Sequence, residues 1–550
     1  MLKRFLSGRA SVFALVFAWK IALFLLTAQP VPANDAFFYD GPVVNFLLHG
    51  KYVNPSLALS HPISATAVFS AYPPLYQAVL LLWMAAMGTS VLSAMVFHLA
   101  LFGVYLLVLL AILNYLKVPA WCARLAGLFL LAITFHDRPD SLAAALGMLS
   151  VFCWVRSLKT PAPPAGEATP AALPRSREFW LWAMTLCVLL CFASSFQFGL
   201  FFGILAWAGM LAASAAGREP FPLAPMVTMV IVPPVAVAAV GHVFPQLRAG
   251  FMENALQTHS FTGFRVPSVE DVLKIIRNVP GVLAVSILLP WTFFRNHAHI
   301  EGAARRYLLV TAPVAAAAIA VVGASLVLLT ANVVSLAGYF QPLVVCGYLA
   351  VLAALGFRPS PLRAQTALFA CLALLGSIRA IGMSTWGVRC AVDVGYHAAI
   401  GRIDEELGST KPEATVVLSS AYLYEAAKRV TPRWIHSDYL TRGKQDNPNA
   451  DRDALLAVRP AKLILTQFDY YRRYEPILTE LKNHREPVEF RIVNTARFPA
   501  PDSFKSFRRV VQHISWAPVI VTFEWPASTN GVTSGFSPSH LSPALALAPP

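Results

Sequence analysis

The chain has 550 residues, 57% of them hydrophobic and 13% charged, with a mean hydropathy of +0.59. Soluble chains carry about 25% charged residues, so an ordinary soluble enzyme, a disordered protein and a basic nucleic-acid-binding domain are excluded. The net charge of +15 is not a polyanion footprint. Before residue 396 there are 24 Lys/Arg and 12 Asp/Glu, and 396–526 holds the remaining 19 and 16. The positive excess thus lies among apolar runs, where it sets membrane orientation.

The N-terminus carries Lys3, Arg4 and Arg9 before an apolar run that reaches about Thr27. Lys20 interrupts that run and many more follow, so it reads as an uncleaved span with a cytoplasmic N-terminus rather than a signal peptide. Residues 29–73 are Pro-rich and aromatic and carry Asp35, Asp40, His49, Lys51 and His61. They form a long first extracytoplasmic loop, which with the next helix extends to about residue 90. Leu75–Met87 is apolar, but thirteen helical residues rise only about 20 Å against a hydrocarbon core of about 30 Å. It is expected to be juxtamembrane or re-entrant.

Spans are then expected at about 91–115 and 120–135. The stretch His136-Asp137-Arg138-Pro139-Asp140 falls outside, and the fourth span ends inside at Arg156 and Lys159. Counting Leu75–Met87 as a span would put those cations outside, against the positive-inside rule. A Pro-rich cytoplasmic linker occupies 160–178. Further runs at 179–194, 196–215, 223–243, 272–293, 307–329, 338–356 and 364–383 bring the expectation to about eleven spans. The break at Ser194–Gln197 decides the orientation of everything after it.

Residues 396–526 read as a small extracytoplasmic α/β domain. Strands are expected at Thr415–Leu418, Lys462–Thr466 and Val519–Phe523, and helices at Tyr422–Arg429 and Pro476–Asn483. Asp469-Tyr470-Tyr471-Arg472-Arg473-Tyr474 reads as an exposed helix start, with a sugar contact as the sharper alternative. The tail 527–550 is Ser-, Pro-, Ala- and Gly-rich and is expected to be disordered. Seven cysteines show no CxxC or zinc spacing and are expected to be small buried hydrophobes.

Acidic residues in the membrane part cluster at Asp35/Asp40 and Asp137/Asp140, both on the expected outer face. Carboxylates beside a bilayer are costly unless paired, hydrated or functional. Two such loops meeting at one face could supply a general base or a divalent-cation site built from Asp35, Asp137 and Asp140. The bland alternatives are helix capping by Asp35, Asp137 or Asp140 and an internal salt bridge within Asp-Arg-Pro-Asp.

An ordered series runs through the first loop: Asn34-Asp35-Ala36-Phe37-Phe38-Tyr39, Leu47-Leu48-His49-Gly50-Lys51-Tyr52, and Tyr72-Pro73-Pro74-Leu75-Tyr76 up to Gly88. It resembles the first outer loop of GT-C fold glycosyltransferases, in the branch of protein mannosyltransferases and lipid A aminoarabinose transferase. Arg138-Pro139-Asp140-Ser141-Leu142 is similar to the family's second outer loop. Gly338-Tyr339-Phe340-Gln341-Pro342 is similar to a late Arg-x-Tyr-x-x-Pro motif, here without its Arg. Ala36 stands where the family commonly has an acidic residue.

The resemblance implies a polytopic α-helical membrane protein of GT-C fold with a C-terminal extracytoplasmic α/β domain. It implies transfer of a sugar from a polyprenyl phosphate donor to a lipid, glycan or protein acceptor, with inversion and with Asp35 as general base. Lys51, Arg138 and Arg265 are outer-face cations that could stabilise the phosphate leaving group. Tyr39, His61 and Tyr339 complete the candidate substrate contacts. Membrane lipids are expected partners and nucleic acid is not. A bacterial inner membrane is the expected location. Two other classes compete. A lipid or sugar transporter should show paired broken helices at mid-membrane, and an assembly protein should tolerate loss of Asp35.

Overall fold

The computed structural model describes residues 8–28, 31–32, 36–70, 72–130, 138–158, 177–215, 221–258, 394–429, 433–440, 450–483, 488–494 and 516–525, with scattered positions between 291 and 392. Four of the described helices are long and apolar enough to cross a membrane: α1 (Ala10–Thr27), α5 (Val91–Tyr115), α8 (Arg177–Ser194) and α10 (Leu223–Val243). The helix α9 (Phe196–Ala215) and the shorter α4 (Leu75–Met87) and α6 (Ala120–Leu130) are also apolar. On α10, Val230, Val235 and Val243 are more than half exposed. Exposed apolar side chains of this kind suit lipid and not water.

Local signals explain several ends. Ser90 caps α5, its hydroxyl accepting the N–H of Ser93 at 3.2 Å, as an N-cap serine does. Helix α7 (Pro139–Ser157) starts with Pro139 in its first turn after an extended Arg138, the position where a missing N–H costs nothing. Helix α4 stops at Gly88, whose φ of +91° few other residues adopt. Between α8 and α9 only Ser195 leaves the helical run, so the break expected at 194–197 is present. The bundle core is apolar and close-packed. The described cysteines Cys122, Cys153, Cys187 and Cys191 are buried there, while Cys371 is exposed.

The first loop is built on α2 (Ala36–His49) and the short α3 (Pro62–Thr66). Every residue of α2 from Ala36 to Val44 is buried. Gly41 is required by a close approach: a Cβ there would lie 2.8 Å from the Asn54 amide nitrogen. That amide donates to the Phe37 carbonyl at 2.8 Å, and Ser56 Oγ donates to Asn54 Oδ1 at 2.6 Å. Helix α11 (Pro245–Thr258) ties in from the other side. Its Glu253 carboxylate accepts the backbone N–H of Ile63 at 2.9 Å and of Ser64 at 3.1 Å.

The C-terminal part opens with α12 (Tyr396–Gly408), whose Ala399, Ile403 and Leu407 are buried at four-residue spacing. Five strands follow: β1 (Thr415–Leu418), β2 (Arg433–His436), β3 (Lys462–Thr466), β4 (Glu489–Asn494) and β5 (Pro518–Glu524). Their order is β2-β1-β3-β5-β4. Strand β1 is parallel to β2 and β3, with Val417 opposite Ile435 and Leu463. Strand β5 is antiparallel to β3, and β4 to β5. The helices α13 (Leu423–Ala427), α14 (Ala450–Val458) and α15 (Glu475–Lys482) lie between strands.

One expectation is corrected here. Asp469–Tyr474 is not an exposed helix start. Asp469, Tyr470 and Tyr474 are buried, and Asp469 accepts hydrogen bonds from the hydroxyls of Ser419 and Thr466. The segment is a wide π-turn leading into α15. Its aromatic rings turn inward because they close the sheet's second core against Val417, Leu463 and Val521.

Candidate active site

Helix α2 places Tyr39 and Asp40 side by side, and both are buried. The Tyr39 ring meets Tyr72 edge to face, centroids 4.8 Å apart. The Arg138 guanidinium lies 5.9 Å from the centroid of the same ring. Arg138 Nε lies 3.1 Å from Asp140 Oδ2. A cation against an aromatic face and a carboxylate is held in orientation by both. The salt bridge expected within Asp-Arg-Pro-Asp is therefore present, and Asp140 also sits in the first turn of α7, where negative charge is favoured.

The break between α8 and α9 completes the cluster. Ser195 Oγ lies 3.1 Å from Asp140 Oδ1 and 3.3 Å from Gln197 Oε1, so its one hydrogen serves either. Tyr72 donates to Gln197 Oε1 at 3.5 Å. Ser194 Oγ donates to the Pro139 carbonyl at 3.0 Å. The first loop, the start of α7 and the α8–α9 joint thus converge on one cluster of Tyr39, Tyr72, Arg138, Asp140, Ser195 and Gln197. It presents a fixed cation beside aromatic faces and amide groups, which suits a phosphate and a sugar ring.

Of the sequence-derived candidates, Tyr39, Arg138 and Asp140 are brought together. Lys51 is exposed, and its carbonyl accepts the Asn45 amide at 2.8 Å. His61 is buried in the loop core, edge-on to Phe38 at 5.6 Å, with Nδ1 2.9 Å from Ser60 Oγ. Asp35, Asp137, Arg265 and Tyr339 lie outside the described residues. Among the described residues no group of three or more His, Cys, Asp or Glu side chains could hold a metal. Asp140 already faces a guanidinium, which suits a second cation poorly. Ser195 and Gln197 were missed. The only signal was the break at 194–197, where a polar Ser-Ser-Phe-Gln interrupts two apolar runs.

The C-terminal sheet meets this region from the other side of α2. Phe37 stacks on His436, ring centroids 3.4 Å and planes 10° apart. His49 Nε2 lies 2.9 Å from the Ala427 carbonyl. Trp516 Nε1 donates at 3.1 Å to the carbonyl of Ala28, at the end of α1.

Comparison with known proteins fits this arrangement. The sequence matches no protein-family model and no curated protein. The structure is similar to that of ArnT, the lipid A aminoarabinose transferase, from Cupriavidus metallidurans bound to undecaprenyl phosphate. The TM-score is 0.52 at 15% identity, over 93% of this chain and 98% of that one. The apo form of the same protein gives 0.51 over 92% and 97%. This chain has the GT-C fold. A weaker likeness, with a TM-score of 0.45 at 12% identity, is to the oligosaccharyltransferase of Archaeoglobus fulgidus, over 86% of this chain and 70% of that one. The GT-C fold and the apolar helices make the chain a membrane protein, with the α/β sheet at its C-terminal end.

Proposed function

We propose that this chain is an integral membrane glycosyltransferase. It takes a sugar from a polyprenyl phosphate and passes it to an acceptor hydroxyl on the extracytoplasmic face. The observation that carries this reading is the Arg138–Asp140 pair held against Tyr39, a fixed cation where two outer loops meet. The likeness in fold to a transferase bound to undecaprenyl phosphate supports it.

The chemistry follows from the groups. The acceptor oxygen attacks the anomeric carbon, the bond from that carbon to the phosphate oxygen breaks, and one displacement inverts the centre. A hydroxyl is a poor nucleophile near neutral pH, so a carboxylate that takes its proton speeds the attack. Asp35, four residues before Tyr39 in the sequence, is assigned that role. The phosphate leaves as an anion and needs positive charge more than a proton. Arg138 supplies that charge, and Asp140 and Tyr39 keep it oriented. Lys51, Arg265 and Tyr339 are kept as donor or acceptor contacts and Asp137 as a second catalytic carboxylate, while His61, buried in the loop core, is given no such contact.

This reading takes about eleven spans, a cytoplasmic N-terminus in a bacterial inner membrane, and residues 396–526 outside. Contact between the C-terminal sheet and α2 supports placing the sheet on the same side as the first loop. The test is transfer of radiolabelled sugar from a panel of polyprenyl-phosphate sugars in membranes containing the protein. Wild type and Asp35→Asn are compared at matched expression. Transfer that is lost in the variant is expected. Equal transfer in both would remove Asp35 from the chemistry, and no transfer with any donor and acceptor would favour a transporter or an assembly role.

A further inference from the structure

The Asp40 carboxyl group is fully buried at the point where three parts of the chain meet. Its Oδ1 accepts the hydroxyl of Tyr76, from α4, at 2.9 Å. Its Oδ2 accepts the hydroxyl of Tyr424, from α13 of the C-terminal domain, at 2.8 Å. Tyr76 is backed in turn by His98 of α5, whose Nε2 lies 3.1 Å from the phenol oxygen. Tyr76 has one hydroxyl hydrogen, and Asp40 takes it. His98 Nε2 must then be the donor in its contact with Tyr76.

The C-terminal sheet has a parallel strand pair on each side of β1, since β2 and β3 flank it. The crevice beyond the carboxyl ends of such strands is where open α/β sheets bind their ligands. Here that end is met by α2. Phe37 lies on His436, the last residue of β2, and Tyr424, just after β1, reaches Asp40. His436 Nδ1 accepts the Asp438 N–H at 3.0 Å, which fixes the ring under Phe37.

We propose that Asp40 and Tyr424 are positioning residues for the transfer reaction, and that the C-terminal domain acts in catalysis by latching α2. This rests on the reading of the chain as a glycosyltransferase. The next residue back, Tyr39, holds the face against which Arg138 lies, and Asp35 is the residue just before this helix in the sequence. The two hydrogen bonds on Asp40 tie α2 to α4 and to α13, and breaking either leaves a buried polar group unpaired. A latch on one side of α2 therefore fixes the groups on the other. The sheet uses its ligand-binding end as a socket for its own chain.

The experiment uses the full-length protein in lipid nanodiscs, with Tyr424→Phe, Asp40→Asn and Asp451→Asn. Asp451 pairs with Arg473 inside the C-terminal domain, so its variant reports weakening of that domain. Two readouts are taken: kcat and KM for the lipid-linked donor, and amide hydrogen exchange of α2 against that of β1 and β3. Tyr424→Phe keeps the ring and loses one hydrogen bond to a buried carboxyl. It should lower kcat about 10-fold with KM within about 2-fold, and speed exchange in α2 but not in the strands. Asp40→Asn should do the same or more. Asp451→Asn should speed exchange in the strands and leave kcat within about 2-fold of wild type. Wild-type kcat in Tyr424→Phe would overturn the proposal, as would equal loss in Asp451→Asn. If no donor supports transfer by wild type, the glycosyltransferase reading fails, and unchanged α2 exchange in Tyr424→Phe would separately remove the latch.

Discussion

Ser195, the one residue between α8 and α9, places its hydroxyl 3.1 Å from the Asp140 carboxylate at the start of α7. A single non-helical residue between two apolar helices thereby becomes part of the Arg138–Asp140 cluster. Asp140 is held on one oxygen by Ser195 and lies against Arg138 on the other. Ser195→Ala removes a hydrogen bond to a charged group, a loss of about 1.5 kcal/mol. It is expected to lower kcat/KM about 10-fold, and Ser195→Thr, which keeps the hydroxyl, should recover most of it. Steady-state transfer assays on the three proteins decide this. Equal values for Ala and wild type would mean that Asp140 needs no such support.

Arg138 carries the larger effect. Removing the cation at a developing phosphate charge typically costs about 100-fold or more in rate, and Arg138→Gln is expected to fall in that range. Arg138→Lys should restore only part, because a point charge lacks the guanidinium's fork of donors and its delocalised charge near Tyr39. The donor dependence of the rate checks this. Full rescue by Lys would show that charge alone matters there and that the Tyr39 contact does not.

Part of the cluster was legible in the sequence, and the reason is chemical. Asp and Arg are rare in apolar chain and stand out, so Arg138 and Asp140 could be picked by their placement alone. Apolar runs and their breaks gave α1, α5, α8, α9 and α10, and the strands β1, β3 and β5 are short β-branched runs. Strands β2 and β4 were missed because Arg433-Trp434-Ile435-His436 and Glu489–Asn494 mix charge with apolar residues. Each borders the sheet on one side only, so one partner strand, and not composition, makes them strands. The inward turn of Tyr470 and Tyr474 was also hidden, since a run of Tyr and Arg reads as surface until a core closes over it. Asp40 and Tyr424 are 384 residues apart, and no local pattern in either announces the other.

Arg473 ties the π-turn before α15 to Asp451 and to the turn after β2 within the C-terminal domain. Its Nε and Nη2 donate to Asp451 at 2.6 and 2.5 Å, and Nη1 donates to the Ser437 carbonyl at 2.8 Å and to Asp438 at 3.2 Å. Breaking a fully buried pair costs about 3–5 kcal/mol. This one is partly open to water, which reduces the expected loss to about 2 kcal/mol. Arg473→Met should lower the unfolding midpoint of the domain by several degrees, read by amide exchange in β3 and β5 of the full-length protein during heating. An unchanged midpoint would show that packing by Tyr474 and Leu478 suffices without the ion pairs.

Glu253 makes the tether of the first loop pH-dependent. Burial raises its carboxyl above the ordinary range, and the hydrogen bonds from Ile63 N, Ser64 N and Ser64 Oγ pull it partly back. A carboxyl raised on folding binds its proton more tightly in the folded protein. Its contribution is therefore full below the unfolded value of about 4.3 and is lost as pH rises through the folded value. The tether between α11 and α3 should accordingly loosen from acid toward neutral pH. Amide exchange at Ile63 and Ser64, corrected for intrinsic rates, measures it directly: protection should fall as pH rises across that window. Glu253→Gln cannot titrate and should give a flat profile, with lower protection because its amide group faces one of the two N–H donors. Glu253→Ala leaves both N–H groups without their acceptor, at a cost of about 1–3 kcal/mol for each that stays buried, and should free the segment at every pH. Protection that rises with pH in wild type would mean that the hydrogen bonds outweigh burial and that Glu253 is held below its ordinary range.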